Sequence, residues 1–183
     1  MTSATSQPTG APTTFIISPE LNLSEYNLSI PEYLAVHPSV HRVGASVIVF
    51  HGPHQKTRWE VPGGATEHTD ATLLHAGARE LWEEAGLRMA SVRRCVDATR
   101  GFVDGGKRWR LITFEAEVDG GDGEAPPPVT LDPEEHVAYL WATEEEVRAR
   151  RCGDVELDFA FKEFADMIMG AFEERNRGKK VDS

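Results

Sequence analysis

Apolar side chains recur along this chain with two different periods, and the places where the period changes mark out the elements. Arg42 to Phe50 (RVGASVIVF) is a nearly continuous apolar run, the pattern of a strand buried on both faces. Arg108 to Val118 (RWRLITFEAEV) alternates instead. Trp109, Leu111, Thr113, Glu115 and Glu117 share one face, and Arg110, Ile112, Phe114, Ala116 and Val118 share the other. Asp104-Gly105-Gly106 is a turn signal, so Gly101 to Val118 predicts a hairpin, with Ser91 to Val103 supplying one or two strands. Between these strand regions the period lengthens. Leu74, Ala78, Leu81 and Ala85 follow helical spacing and predict a helix with that face in the core, capped by Thr69 or Asp70 and ended by Gly86. Phe161, Phe164, Ala165, Ile168 and Phe172 predict a final amphipathic helix over 158–175. Shorter patterns predict a strand at Thr14 to Ser18, a helix at Ile30 to Val36 capped by Ser29, and a helix from Glu144 to Arg150 with a Thr143/Glu146 capping box.

The ends read differently. Residues 1–13 hold almost no large apolar side chain and are expected to be a disordered tail, and 176–183 a flexible, mildly basic one. Asp119 to Pro128 is a low-complexity insertion. A single domain over 14–175, with no internal repeat, accounts for the 183 residues.

Composition narrows the partners. A formal charge of −11 argues against DNA, which asks for a basic face, but is compatible with a small phosphorylated substrate held through a metal ion. The two cysteines, Cys95 and Cys152, are too few for a disulfide framework and fit a reducing compartment. No apolar run reaches membrane-spanning length and no secretory signal layout opens the chain. The expectation is an intracellular protein with no membrane association, cytoplasmic with the nucleus left open.

The chemistry concentrates in Trp59 to Leu87. A strand-like run, Trp59-Glu60-Val61, stops at Pro62 and a double glycine, and the helix beyond carries Arg79, Glu80, Glu83 and Glu84. Helical spacing puts the three glutamates on one face, where they repel one another unless a cation lies between them. Magnesium prefers oxygen ligands of this kind, and Gly63 and Gly64 let the backbone come close to whatever is bound. The plain alternative for any glutamate-rich helix face is a solvated surface. The glycine turn and the spacing favour the metal.

This stretch resembles the Nudix box, G-x5-E-x7-R-E-U-x-E-E-x-G-U, with U a bulky aliphatic residue. The second half is complete from Arg79 to Leu87; in the first half Asp70 stands at the acidic position and eight residues separate it from Arg79. WEVPGG and ARELWEEAGL are similar to runs in Nudix proteins of filamentous fungi. The resemblance implies a Nudix-type α/β/α sandwich around a mixed β-sheet. It also implies hydrolysis of a diphosphate bond in a nucleoside diphosphate linked to a further moiety, with Mg2+ or Mn2+. Only Ser46 to Arg58 lies where the family usually places two strands. Either one strand is shortened near the N-terminus, or this is a variant, natural or mis-spliced, with a weakened sheet.

Roles follow from the resemblance. Glu80, Glu83 and Glu84 would hold the metal with the Gly63 carbonyl, and Arg79 would orient a glutamate. The general base would be Glu80 or a residue of the later acidic segment Asp132 to Ala142, which is expected to lead into a strand. Glu134, Glu135 and His136 are the candidates there, with Glu135 preferred. Arg58, in the loop His51 to Arg58, and Gly64 are the candidate substrate contacts. Glu115 and Glu117 would serve the metal only if their face looked toward the box helix; solvent is their plainer fate. Trp59, Trp109 and Phe102 are candidates for stacking on a base, against core packing as the plainer reading. A homodimer is one possible assembly. A second function class stays open, a nucleotide-binding or regulatory module of the same fold that has lost turnover.

Overall fold

The computed structural model describes residues 13–17, 20–49, 61–120, 126–133, 136, 138–159 and 162–181. Arg58, Trp59, Glu134 and Glu135, each singled out above, lie outside the described residues, as do residues 1–12 of the expected N-terminal tail.

The chain folds around a six-stranded mixed sheet. The buried run Arg42–Ile48 forms β2, parallel to the long alternating strand Lys107–Val118. That strand, β6, is antiparallel to β4 (Met89–Asp97) and, nearer its start, to β5 (Gly101–Asp104). A two-residue β1 (Ile16–Ile17) runs parallel to β4 at one edge, and β3 (Gly63–Ala65) closes the other edge against β2. The Gly105-Gly106 turn takes φ values of 54° and 74°, the left-handed pair a tight hairpin needs.

The alternation in β6 sorts the layers. Ile112, Phe114 and Ala116 enter the main core beneath α2 (Leu73–Ala85), where Leu74, Ala78, Leu81 and Ala85 are buried as their spacing predicts. The opposite face looks toward α4 (Lys162–Val181), through Thr113 and Glu115. A short α3 (Glu144–Arg148) with its capping box and the ribbon β7 (Arg151–Cys152) and β8 (Val155–Glu156) build a second apolar cluster with α4. On the α2 side the layer is completed by a 3-10 turn at Ser24–Asn27 and by α1 (Ile30–Val36), whose Tyr33 is fully buried. Helices thus flank a mixed sheet on both faces.

Several expectations are corrected. The strand near the double glycine is Gly63–Ala65 itself, so the glycines lie within the sheet edge instead of after it; Val61 is outside any strand. The box helix is capped by Thr72, not Thr69 or Asp70, because the Asp70 carboxylate is taken by Arg79 and the Glu67 amide. None of the described residues between 126 and 143 is in a strand. Glu115 is buried, not solvated: its face is covered by α4, and Arg94 and Arg175 each reach it, at 2.7 and 2.8 Å. That face is also the one away from the box helix. Finally, α4 continues to Val181, past the expected end at Arg175 and into the expected tail. Asn176 donates to Glu144 at 2.8 Å, and Arg177 pairs with Glu174 one turn back.

Candidate catalytic site

The site is built where α2 crosses β2 and β3. Thr72 accepts from the His75 amide at the helix start, and Gly86, at φ 63°, ends the helix in the left-handed conformation. Close approach to the sheet fixes how far Glu80 and Glu84 stand from the strands, and both are only 8% exposed.

The double glycine is explained by space on two sides. A Cβ on Gly63 would lie 2.5 Å from Ser46 Cα and 2.7 Å from the Ala45 carbonyl, both backbone atoms. A Cβ on Gly64 would point the other way and meet Glu80 Oε1 at 2.7 Å. Gly64 therefore makes the recess that the Glu80 carboxylate fills, and the sequence-derived substrate contact at this glycine is, within the protein, a contact to Glu80. The Gly63 amide donates to Glu84 Oε2 at 3.1 Å.

Arg79 organises the acids. Its Nε and Nη2 donate to the two Asp70 oxygens at 3.0 and 3.1 Å, a side-on fork. Its Nη1 lies 2.9 Å from Glu80 Oε1 and donates to Glu83 Oε2 at 2.8 Å, while Nη2 also donates to the Ala65 carbonyl at 3.0 Å. Burial opposes the Arg79 charge, but the hydrogen bonds to Asp70 and Glu83 and the charges of Glu80 and Asp70 outweigh it and raise its pKa. Asp70 thus anchors the arginine that positions two glutamates, a role its place in the sequence did not reveal.

Glu84 is an acid whose surroundings oppose its charge. Burial pushes its pKa up to about 7, and the nearby Glu80 charge adds to the rise, against the opposing influence of His136 and the Gly63 amide. His136 Nε2 stands 3.1 Å from Glu84 Oε2. Of the three candidates in the late acidic segment, His136 alone is among the described residues; it stands at the site, and its amide donates to the Asp132 carbonyl.

Among the described residues, no three acidic, histidine or cysteine side chains are gathered into a ready metal cage, and Glu83 is turned to Arg79. The chemistry of the donor set nonetheless fits a hard divalent cation. Glu80 and Glu84 are two buried carboxylates close enough to raise each other's cost of ionisation, and positive charge between them would remove that cost.

Comparisons with known proteins agree with this architecture. The NUDIX domain profile matches residues 40–159. No curated protein is a significant sequence match to the chain. Among solved structures, the MutT protein of Methanosarcina mazei superposes with a TM-score of 0.50 at 22% identity, over 74% of this chain and 94% of that one. A Nudix hydrolase from Nitrosomonas europaea gives 0.51 at 16% identity, over 73% and 89%. An Ap4A hydrolase from C. elegans gives 0.53 at 18%, over 75% and 98%. At these identities the likeness is one of fold.

Proposed function

This chain belongs to the Nudix family, and from that premise we propose that it hydrolyses a diphosphate bond in a nucleoside diphosphate linked to a second moiety. The observation that carries the reading is the buried Glu80 and Glu84 pair held against the Gly63-Gly64 edge, with Glu84 poised to gain from a cation. Glu80 and Glu84, with the Gly63 carbonyl and Glu83 as further donors, would hold a divalent ion, Mg2+ or Mn2+, which would supply charge neutralisation for the phosphate oxygens.

The chain's own residues do the rest. Arg79 holds Glu80 and Glu83 in place and is itself held by Asp70. The Gly63 amide and His136 fix the Glu84 carboxylate. An attacking water forms the new P–O bond, the bridging P–O bond breaks, and the water's proton passes to a carboxylate oxygen. Glu80 is the proposed acceptor, supported by its burial beside Gly64, and Glu135 is the other candidate. Positioned proton transfer of this kind contributes roughly a hundred- to ten-thousand-fold in rate. Arg58 is the further substrate contact in this scheme. The partner is a small phosphorylated molecule, not DNA or a membrane, in a cytoplasmic setting, with a homodimer testable by sedimentation. Among the described residues no helix is long and apolar enough to cross a membrane.

A second reading, a nucleotide-binding module without turnover, draws on the Glu83 carboxylate being committed to Arg79. A hydrolysis panel separates the two: ADP-ribose, a dinucleoside polyphosphate, oxidised nucleoside triphosphates, a prenyl diphosphate and an inositol diphosphate, each with Mg2+, with Mn2+ and with EDTA. Turnover with metal that EDTA abolishes supports the hydrolase. Binding without turnover across the panel supports the module.

A further inference from the structure

The flank of α4 beside β4 carries a groove of about 370 Å³ that the proposed chemistry leaves unused. Arg94, Val96 and Asp97 of β4, with Thr99 just beyond, form its strand wall. Its helix wall is a stripe of Glu163, Met167, Gly170, Glu174 and Arg177. Intervals of four and three residues alternate along that stripe, the repeat that keeps one seam of a helix turned toward a second helix. Arg94 donates to the Ala171 carbonyl at 2.7 Å and stands 3.7 Å from Glu174, whereas Asp97 lies toward Glu163, with Arg100 beside both. The strand wall and the helix wall therefore run in opposite directions.

The stripe is small at its middle, and its two ends carry opposite charges. Glu163 is exposed at one end, and Asp97 adds a second acid across the groove; Arg100 behind them offsets part of that charge. Arg177 is 66% exposed at the other end and pairs with Glu174 one turn back, while Arg94 is engaged by Glu115. Gly170 stands midway, seven residues from Glu163 and seven from Arg177. Glycine inside a helix lowers its stability and leaves room for a neighbour to come close. A Cβ at Gly170 would meet nothing within 4 Å, so among the described residues no side chain of the same molecule takes up that room.

We propose that this groove is a homodimer interface, filled by α4 of a second copy of the chain that runs antiparallel about a two-fold axis at Gly170. That symmetry sets Gly170 against Gly170, Met167 near Glu174, and the exposed Glu163 of each copy against the exposed Arg177 of the other. The unlike-charge contact is made twice, because a two-fold interface is isologous. A foreign helix would need the same mirrored order of acid, small residue and base; a second copy carries it already. Seven residues on each side of Gly170 bring about 21 Å of helix into contact. That is the small end of specific interfaces, so the dimer is expected to be weak and concentration-dependent. The contact lies on the sheet face away from Glu80 and Glu84, leaves both copies of that site open, and does not depend on the hydrolase reading.

The test is sedimentation velocity on the full chain at low salt across a wide concentration range. Wild type is expected to pass from monomer to dimer as concentration rises. Glu163→Arg and Arg177→Glu each set like charges opposite one another twice, and each should weaken dimerisation by about tenfold or more. The double variant Glu163→Arg/Arg177→Glu restores unlike charges and should recover most of the wild-type affinity. An equimolar mixture of the two single variants should form heterodimers, since both of its charge contacts join unlike groups. Two chains that stay monomeric alone yet pair when mixed must both be folded, so the result does not turn on a folding defect. Gly170→Leu should remain monomeric with a denaturation midpoint no lower than wild type, because the new side chain enters open space in the monomer and raises helix propensity. A wild type that stays monomeric throughout, a dimer indifferent to either charge reversal, or single variants that fail to pair when mixed would overturn the interface.

Discussion

Adding one methyl group at each of two adjacent glycines should produce opposite defects. In Gly63→Ala the new Cβ would stand 2.5 Å from Ser46 Cα, with Ser46 Cβ nearer still, so the obstacle is neighbouring backbone that moves only if the β2–β3 edge opens. Overpacking of this kind typically costs 1–3 kcal/mol, and a clash with backbone belongs at the upper end, about 3 kcal/mol. In Gly64→Ala the atoms met are Glu80 Oε1, Cδ and Oε2 at 2.7, 2.9 and 3.0 Å, the far end of a flexible side chain. That carboxylate can swing away at a cost of about 1 kcal/mol or less, but it then leaves the position in which Arg79 holds it. A displacement of about 1 Å at a reacting group lowers rates by about a hundredfold. Guanidinium denaturation and magnesium-dependent hydrolysis, measured on both variants, give the comparison. Gly63→Ala should show a lowered midpoint, and Gly64→Ala a near-normal midpoint with turnover down by about two orders of magnitude. A Gly64→Ala enzyme with full turnover would refute the placement of Glu80 in the chemistry. Equal loss of stability in the two variants would refute the argument that one neighbour is rigid and the other yields.

Three further outcomes are expected. A carboxyl whose folded pKa is raised costs stability as pH climbs from its unfolded value to its folded one, here from 4.5 to about 7 for Glu84. In EDTA, Glu84→Gln should therefore match wild type near pH 4 and exceed it by about 3 kcal/mol at most near pH 8, while losing metal-dependent turnover; urea titrations across that range that show no widening gap would contradict this. Asp70→Asn and Arg79→Ala should both reduce kcat by about tenfold or more with KM less affected, since each disorders the glutamates without touching substrate, and a pure KM effect would place them in substrate binding instead. Glu115→Ala removes the buried acid shared by Arg94 of β4 and Arg175 of α4; because both arginines keep partial solvent access and Arg94 keeps the Ala171 carbonyl, the loss should be about 2 kcal/mol, read as a lowered thermal midpoint.

The parts legible in the sequence were those governed by local rules. The core stripe of α2, the Gly86 terminus, the Ser29 N-cap, the Thr143 capping box and the Gly105-Gly106 hairpin all depend on residues within a few positions of one another. What stayed hidden depended on which layer covers which face. Alternation in β6 separates Glu115 from Phe114 but carries no information about whether α2 or α4 lies over it, and that choice decides whether Glu115 is a metal ligand, a surface acid or a clamp. The partnership of Asp70 with Arg79 was masked by the extra residue before the arginine, which the loop and first turn absorb. His136 was one of three candidates read from the sequence, but no periodicity singled it out, because it reaches Glu84 from a segment whose described residues have no regular structure. The reach of α4 to Val181 ran through a polar, glycine-containing sequence that local propensity reads as a tail.

The burial of Tyr33 and Leu23 has a practical consequence for anyone trimming this protein. Both residues precede position 40, where the family match begins, yet both sit among Val43, Leu74 and Phe114 in the same apolar cluster. Cutting at the family's border would remove part of the interior and leave the α2 layer open on one flank. A shortened chain running from 40 to 159 should then be recovered as aggregate, or melt without cooperativity, where the intact one melts in a single step.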